Sequence, residues 1–436
     1  MSGLEITVAG FAVLGVLIYG GMHIAVALLL TAFCGAWLIR GNIDAGLNLV
    51  GIAAADAVAD YEYGVIPLFV LMGFLVMRAG VGADSYRVAH SALRGVPGAL
   101  GHATVVGNAI FSAITGVTVA AVVLFTRMAV PEMLKAGYHP RFAVGVVAGS
   151  AMLGMLIPPS VLMIIYAILT ETSIGDLFLA GIVPGILLTV AFSGAILWLA
   201  RRDPQHFGGG RPLSEADILS LRETLRLSGP IVLLIAIVLG GMYAGWFTAT
   251  EAGAVGALAA LAIALARRSL DRKGFVSILI ETGHVTASLV AIIMAANMFS
   301  RFLAIGGLPS ALNAWIMGLS PSLYTVLAIY IAVVLVLGTA MDSASTTLIA
   351  VPIFAVIFKS MGADLVWIGI ITMITVEIGL ITPPLGMAPF VIKMTLERDD
   401  ISLNDIYAGS LPFAVAAMAV VGLIVAFPWI ATGILR

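Results

Sequence analysis

The chain has 436 residues, of which 61% are hydrophobic and only 10% are charged. Because soluble domains carry about 25% charged residues, this composition excludes an ordinary soluble protein and predicts an all-α polytopic membrane protein. The net charge of −2 offers no basic patch for nucleic acid, and a single cysteine, Cys34, excludes an internal disulfide or a cysteine metal site, so no cofactor is expected.

The first half of the chain, residues 1–200, begins with apolar runs that predict ordinary spans. We place spans at 5–19, 22–39 and 65–78, a polar segment at 40–64 and an amphipathic interfacial helix at 79–100. The next run, about 101–130, is apolar, yet glycine and hydroxyl side chains occupy its middle at 112–118. Since such groups interrupt a simple crossing, we expect a re-entrant helical hairpin there.

A broken helix follows at about 142–170, and a span at 177–200 closes the first half. The centre of the broken helix reads G-M-L-I-P-P-S, with Pro158 and Pro159 in succession. Proline lacks the backbone N–H and clashes with the preceding turn, so two in a row should break a helix. Lipid cannot satisfy the carbonyl groups that the break frees, so they should face protein or a polar cavity.

Arginine, proline and glycine residues at 201–228 predict a cytoplasmic linker between the halves. The second half, residues 229–436, then repeats the order of the first. We place spans at 229–247, 249–266 and 281–303, an amphipathic piece near 309–319, a hairpin at about 322–357, a broken helix at about 366–394 and a last span at 406–431. The second hairpin turns near Asp342, and Pro383-Pro384 interrupts the second broken helix.

The two broken helices match each other at an offset of 225 residues. The matched residues are Gly137, Gly154, Pro158 and Pro159 in the first half and Gly362, Gly379, Pro383 and Pro384 in the second, and a small shift adds Ser173 and Asp176 with Ser402 and Asp405. Chance coincidence is the competing interpretation, and the shared order of hairpin and broken helix argues against it. Counting the spans makes the repeats inverted, the symmetry that alternating-access carriers use.

Lysine and arginine predict the orientation in the membrane. With this assignment of spans, 17 of the 21 basic residues lie on one side, which is therefore cytoplasmic. Both termini then lie on the outer side. The first apolar run starts near Ile6 without a basic region before it, which argues against a cleaved signal peptide.

Inversion brings each hairpin tip to a broken helix near the membrane midplane. Hydroxyl and carbonyl oxygens are the ligands that a small hard cation prefers, so we predict two cation sites. Site one comprises Ser112, Thr115, Gly116, Thr118, Ile157, Pro158 and Ser160; site two comprises Asp342, Ser343, Ser345, Thr346, Ile381, Thr382 and Pro383. Half-helix N-termini attract anions, so a carboxylate should bind between the sites. The residues expected to contact it are Thr118, Ser160, Ser345 and Thr382.

Two acidic residues, Asp342 and Glu377, lie within predicted membrane segments. An acid at that depth is costly unless it is paired or functional. For Asp342 we favour ion or proton binding over a structural hydrogen bond or a position outside the membrane. For Glu377 two interpretations stay open: a functional role, or a structural role as the partner of a serine or of a backbone group.

Motifs in both halves are similar to those of one known family. The first half reads Pro131-Glu132-Met133 with Gly137-Tyr138, Leu156-Ile157-Pro158-Pro159-Ser160, Thr172-Ser173-Ile174-Gly175, Phe178-Leu179-Ala180-Gly181 and Pro184-Gly185. The second half reads Met341-Asp342-Ser343 and Glu377-Ile378-Gly379-Leu380-Ile381-Thr382-Pro383-Pro384-Leu385-Gly386. As a set, these motifs resemble the large membrane subunit of the tripartite ATP-independent periplasmic (TRAP) transporters, the DctM/SiaM-like family.

The resemblance implies a sodium-coupled importer of organic acids in the bacterial cytoplasmic membrane, with Na⁺ as the cation of both sites. It implies an elevator-type member of the ion-transporter superfamily, in which hairpins and broken helices move against a scaffold of the other spans. It also implies two partners, a small four-helix membrane subunit and a soluble periplasmic substrate-binding protein. This chain has no room for either, so we expect separate chains.

Other functions remain as alternatives at this point. The nearest is a stand-alone sodium–dicarboxylate or citrate carrier of the same superfamily, which would need no binding protein. An intramembrane protease would need Gly-x-Ser-x-Gly with histidine, paired aspartates or His-Glu-x-x-His, and none occurs at membrane depth, so we expect no enzyme. A channel is disfavoured because two broken helices in inverted repeats are typical of carriers.

Overall fold

The computed structural model describes residues 2–59, 61–116, 118–207, 219–318 and 321–435, and helices build nearly all of these ranges. By length and composition, seven of the described helices can cross a membrane. The number is eight if the pair Val65–Arg78 and Val81–Leu93, bent by 63°, forms one span. The predicted all-α polytopic class is confirmed.

The first half contains the predicted hairpin and broken helix. Its helices are α1 Gly3–Tyr19, α2 Ile24–Arg40, α3 Ile43–Ala59, α4 Val65–Arg78, α5 Val81–Leu93, α6 Ala99–Thr115, α7 Thr118–Lys135, α8 Pro140–Ala151, α9 Val161–Thr170 and α10 Ile174–Arg202. We call α6 and α7 hairpin 1. A 3-10 turn, Met152–Met155, extends α8, and residues 156–160 between it and α9 are break 1.

The second half repeats this order. Its helices are α11 Leu221–Ile235, α12 Gly241–Tyr243, α13 Ala249–Ala266, α14 Arg272–Ile305, α15 Leu308–Gly318, α16 Leu323–Ala340, α17 Ser343–Ser360, α18 Leu365–Leu380, α19 Met387–Leu396, α20 Leu403–Ala426 and α21 Trp429–Thr432. A π turn, Ala236–Gly240, joins α11 to α12. We call α16 and α17 hairpin 2, and residues 381–386 between α18 and α19 are break 2.

The segment 40–64 was predicted only as polar. That prediction is wrong in one respect, because the segment contains the helix α3. Its buried residues Leu49, Ala53 and Ala57 recur every four positions, while Asp44 and Asp56 are exposed. This spacing places a narrow apolar stripe on one helix face. A hydropathy average over the segment cannot detect such a stripe.

Two helices of the second half begin earlier than predicted. α11 starts at Leu221 instead of 229, and α14 starts at Arg272 instead of 281. In each case a polar side chain caps the helix: Ser220 accepts from the Glu223 N–H, and Asp271 accepts from the Gly274 N–H. Hydropathy marks only the apolar part of a helix, so these charged first turns were assigned to loops. The predicted linker 201–228 therefore includes helix at its end, and 208–218 lie outside the described residues.

The helix boundaries reproduce the predicted repeat. The ends of α6 and α16, both ends of α7 and α17, and the starts of α8 and α18 all differ by 225 residues. Gly137 and Gly362 both have positive φ, +84° and +71°, in the turns before α8 and α18. Ser173 and Ser402 both cap the following spans, α10 and α20, through the N–H groups of Asp176 and Asp405.

The equivalent helices exchange contacts between the halves. Helix α7 packs on α19, and α17 packs on α9. Each broken helix thus contacts the hairpin of the other half as well as its own. Such reciprocal contacts are the pattern that a pseudo-twofold axis produces. The hairpins and broken helices of the two halves therefore form one contiguous group of contacts.

Candidate ion and substrate site

The tip of hairpin 1 lies directly on break 1. Gly116 joins α6 to α7 with a φ of +62°, and its carbonyl accepts the Val161 N–H at 3.4 Å. A Cβ at Gly116 would lie 2.3 Å from the Pro159 carbonyl oxygen. Only glycine tolerates both the positive φ and this backbone approach. On the other side of the tip, a Cβ at Gly154 would lie 3.3 Å from Thr118 Oγ1.

Ser160 ends break 1 and begins α9. Its Oγ accepts from the Met163 N–H at 3.3 Å and donates to the Met155 carbonyl at 2.7 Å. The hydroxyl thus caps the N-terminus of α9 and also bonds one of the carbonyls that the break frees. Helix α10 covers break 1: a Cβ at Gly181 would lie 2.7 Å from the Leu156 carbonyl oxygen.

Asp342 is the N-cap of α17 at the tip of hairpin 2. Its Oδ1 accepts the Ser345 N–H at 3.0 Å, and its other carboxylate oxygen accepts the Ser345 hydroxyl. The side chain is half-buried. These bonds supply the structural hydrogen bonding that the sequence left as an alternative for Asp342. A carboxylate has about four acceptor positions, so two of them are still free for a cation.

Hairpin 2 contacts its broken helix through two glycines. A Cβ at Gly379 would lie 2.7 Å from the Gly338 Cα, so the backbones of α16 and α18 touch there. Gly338 lies one turn before the tip, and Gly379 lies just before break 2. Small residues permit such close crossings of membrane helices. This contact places the second tip beside the second break.

The carbonyl groups of break 2 find partners on α20. Ser410 Oγ donates to the Ile381 carbonyl at 3.2 Å, and the Tyr407 hydroxyl donates to the Pro384 carbonyl at 3.2 Å. Within the break, Thr382 Oγ1 donates to a carbonyl of the last turn of α18 at 2.6 Å. The expectation that freed carbonyls face protein is met here.

The two breaks differ in exposure. Pro158 and Pro159 are buried beneath hairpin 1 and α10, whereas Pro383 and Pro384 are exposed. Both Pro-Pro bonds are cis. The pseudo-symmetric pair is therefore not in equivalent surroundings: the structure closes break 1 and leaves break 2 accessible.

Each predicted cation site contains one buried hydroxyl without a hydrogen-bond partner among the described residues. These are Ser112 Oγ in site one and Thr346 Oγ1 in site two. Buried hydroxyls in proteins nearly always have a partner. An oxygen with free lone pairs is what a small hard cation requires. A cation at either predicted site would find one hydroxyl oxygen there that no described residue bonds.

Other predicted ligands have their hydrogen bonds within the chain. Thr115 Oγ1 donates to the Phe111 carbonyl at 3.0 Å, and the Ile157 N–H donates to the Leu153 carbonyl at 2.9 Å. Neither bond uses the lone pairs that a cation would need. For Thr115 they belong to Oγ1, which only donates here, and for Ile157 they belong to the carbonyl oxygen. The structure brings the tip of hairpin 1 to break 1 directly; for site two, the contact runs through the glycines of α16 and α18.

Glu377 connects the two hairpins. It lies in α18, is 1% exposed, and accepts hydrogen bonds from Thr118 Oγ1 at 3.1 Å and Ser343 Oγ at 2.7 Å. These hydroxyls belong to the first residues of α7 and α17, which correspond at the offset of 225. The offset was visible in the sequence and could have paired Thr118 with Ser343. The partners of break 2 on α20, Ser410 and Tyr407, carried no such signal and were missed.

A separate polar cavity of about 830 Å³ lies at the far end of α9 from break 1. Its walls come from α3, α14 and the connection between α9 and α10. Arg301 pairs with Asp56 at 2.5 Å and Asn297 donates to the Tyr63 hydroxyl at 2.8 Å. None of the predicted site residues lines this cavity.

Comparison with known proteins gives one family over almost the whole chain. A family model described as the DctM component of the tripartite ATP-independent periplasmic transporter matches residues 11–430. The chain is 31% identical to the sialic acid TRAP transporter large permease protein SiaM of Vibrio cholerae serotype O1, over 94% of each protein. It is 36% identical to the C4-dicarboxylate TRAP transporter large permease protein DctM of Pseudomonas aeruginosa, over 76% of this chain and 77% of that protein.

Among solved structures, the chain is similar to the YdaH transporter of Alcanivorax borkumensis. The TM-score is 0.63, with 88% of this chain and 90% of that chain covered. The two sequences are 15% identical. This likeness shows a shared fold and no more.

Proposed function

The chain belongs to the DctM family of tripartite ATP-independent periplasmic transporters, and we propose that it imports an organic acid at the expense of a sodium gradient. As a member of this family it is a transport protein, not an enzyme, and a multi-pass protein of the bacterial inner membrane. Members work with a small membrane subunit and a periplasmic binding protein. The relatives named above carry sialic acid and C4-dicarboxylates, which supports a carboxylated substrate here.

One observation carries the proposal: in each half, a hairpin tip meets a helix break. The tip at Gly116 lies on the backbone of break 1, and hairpin 2 touches its broken helix at Gly338 and Gly379. Broken helices of this kind expose backbone oxygens and helix N-termini at one place. This combination suits a cation and an anion that travel together.

For the cations we propose the two predicted sites as sodium sites. In site one, Ser112 Oγ and Thr118 Oγ1 of hairpin 1 would contribute hydroxyl oxygens, and break 1 would contribute carbonyls. In site two, Thr346 Oγ1 and Asp342 would act with the carbonyls of break 2. Sodium is cargo in this mechanism, so each site must bind it and release it again.

For the substrate we propose binding between the two sites. Helices α9 and α19 each begin directly after a break. The positive dipole ends of both helices favour a carboxylate without a buried arginine, and no side chain caps the N-terminus of α19. The contacts proposed for it are Thr118, Ser160, Ser345 and Thr382.

We further propose elevator movement. Contacts concentrate within two groups of helices. In the first, α2, α3, α4, α13 and α14 pack on one another; in the second, the hairpins and broken helices pack on one another and on α5, α10 and α20. Such grouping favours one body moving against the other, with both sites inside the moving body.

Uptake into proteoliposomes tests the proposal. The chain would be reconstituted with its small subunit, and a panel of carboxylated solutes offered with the binding protein under an inward sodium or an inward potassium gradient. We expect accumulation of one acid only with sodium. Equal uptake under the two gradients would reject sodium coupling. Uptake that persists without the binding protein would favour the stand-alone carrier instead.

A further inference from the structure

Glu377 is an unusual residue for its surroundings. It is the only charged side chain of α18, it is buried, and among the described residues it takes part in no ion pair. Acidic side chains in such positions are costly and are commonly functional. Nothing in the proposed sodium sites or substrate contacts uses it.

The two oxygens of Glu377 serve different hairpins. Oε2 accepts from Thr118, the first residue of α7, and Oε1 accepts from Ser343, the first residue of α17. Thr118 lies against Gly154, just before break 1, and Ser343 follows the cap Asp342. Glu377 itself precedes break 2 by one helical turn. The carboxylate therefore adjoins the frames of both predicted sodium sites.

We propose that Glu377 is a positioning residue that couples the two sodium sites by linking the hairpin tips. Both hydrogen bonds form together only when Thr118 and Ser343 lie within reach of the same carboxylate on α18. Binding that fixes one tip then lowers the free energy needed to fix the other, which is a coupling free energy between sites. This inference rests on the proposed function, and it makes sodium binding cooperative.

The two hydrogen bonds of Glu377 determine which substitutions test the proposal. A glutamine keeps the shape and both contacts: its Oε1 accepts from one hydroxyl and its Nε2 donates to the other. An alanine removes both contacts. Glu377→Gln should therefore retain the coupling that Glu377→Ala loses. Thr372→Val is the matched control, because the Thr372 hydroxyl is also buried on α18 but bonds only one hairpin: it contacts Tyr330 of hairpin 2 and the Ile368 carbonyl of its own helix.

Sodium titration of uptake at saturating substrate is the first measurement. We expect a Hill coefficient approaching about 2 for the wild type, Glu377→Gln and Thr372→Val, and about 1 for Glu377→Ala, because the coefficient is bounded by the number of coupled sites. A wild-type coefficient in Glu377→Ala would overturn the proposal. So would a Glu377→Gln protein that behaves like Glu377→Ala.

A second measurement separates this inference from the proposed function. Thermal unfolding in detergent without sodium would be followed for Thr118→Val, Ser343→Ala and the double variant, in the wild-type and Glu377→Ala backgrounds. We expect non-additive shifts in the first background and additive shifts in the second, because the hydroxyls interact only through Glu377. Additive shifts in both would overturn the link, even if sodium drives uptake. Sodium-independent uptake alone would reject the proposed function.

Discussion

At the scale of single residues, the predicted sites contain hydroxyl groups of two kinds, those with a hydrogen-bond partner and those without one. Thr115 and Thr382 satisfy their hydroxyls on carbonyls of the preceding helical turn. Ser112 and Thr346 are buried with no partner among the described residues. An unpaired buried hydroxyl costs free energy in the absence of a ligand. A cation bound at these hydroxyls, as proposed, would offset that cost.

Ser112→Ala and Thr346→Ala should each raise the sodium concentration for half-maximal uptake about tenfold, equivalent to about 1.4 kcal/mol per site. Without sodium the melting temperature should not fall, because neither hydroxyl makes a hydrogen bond that would be lost and each costs free energy while unpaired. Sodium titration of uptake and thermal unfolding check the two statements.

Thr126→Ala is the control for this pair. Thr126 is also buried without a partner among the described residues, but it lies two turns along α7 from the tip. Its substitution should leave the sodium titration unchanged. If it shifts the titration as far as Thr346→Ala does, unpaired hydroxyls do not mark the sites.

At the scale of elements, each hairpin must reach a break closely enough for backbone to touch backbone. In hairpin 1 the contact depends on Gly116, which combines a positive φ with the carbonyl of Pro159 at the place a Cβ would occupy. The positive φ and the close approach are separate reasons for a glycine, and a second position, Gly41, has only the positive φ. Gly41 has a φ of +66°, and a Cβ at this position would have no heavy atom within 4 Å.

Gly41→Ala should cost about 1–2 kcal/mol of stability, the strain of an alanine in the left-handed region, and retain uptake. Gly116→Ala should lower the melting temperature further and abolish uptake, because the tip must also move away from break 1. Thermal unfolding and uptake of the two purified variants give the comparison. Equal effects of the two substitutions would show that the tip and break do not need to touch.

The sequence predicted these elements well and their contacts less well. Hairpins and broken helices are marked by glycine, hydroxyl and proline residues inside long apolar runs, so their positions were predicted within a few residues. Helix α3 and the first turns of α11 and α14 were missed because their charged residues lower the mean hydropathy. The partners of Glu377 lie 259 and 34 residues away, and no local pattern reports such distances.

At the scale of the whole molecule, the duplication explains why polar groups of the two halves meet, as Thr118 and Ser343 do at Glu377. Two copies of one hairpin and one broken helix exchange contacts, so both tips and both breaks converge. The copies are not identical: break 1 is buried and break 2 is exposed at its prolines. Such a difference between the two breaks suits one state of the proposed transport cycle.

The central claim is that the two tips and breaks carry sodium together with the substrate. Its most direct measurement is the flux of radioactive sodium and of the transported acid in the same proteoliposomes. We predict that about two sodium ions enter for each molecule of acid, one for each pairing of tip and break, and that both fluxes fall together in Gly116→Ala. Sodium entry that does not change when the acid is withheld would contradict the account.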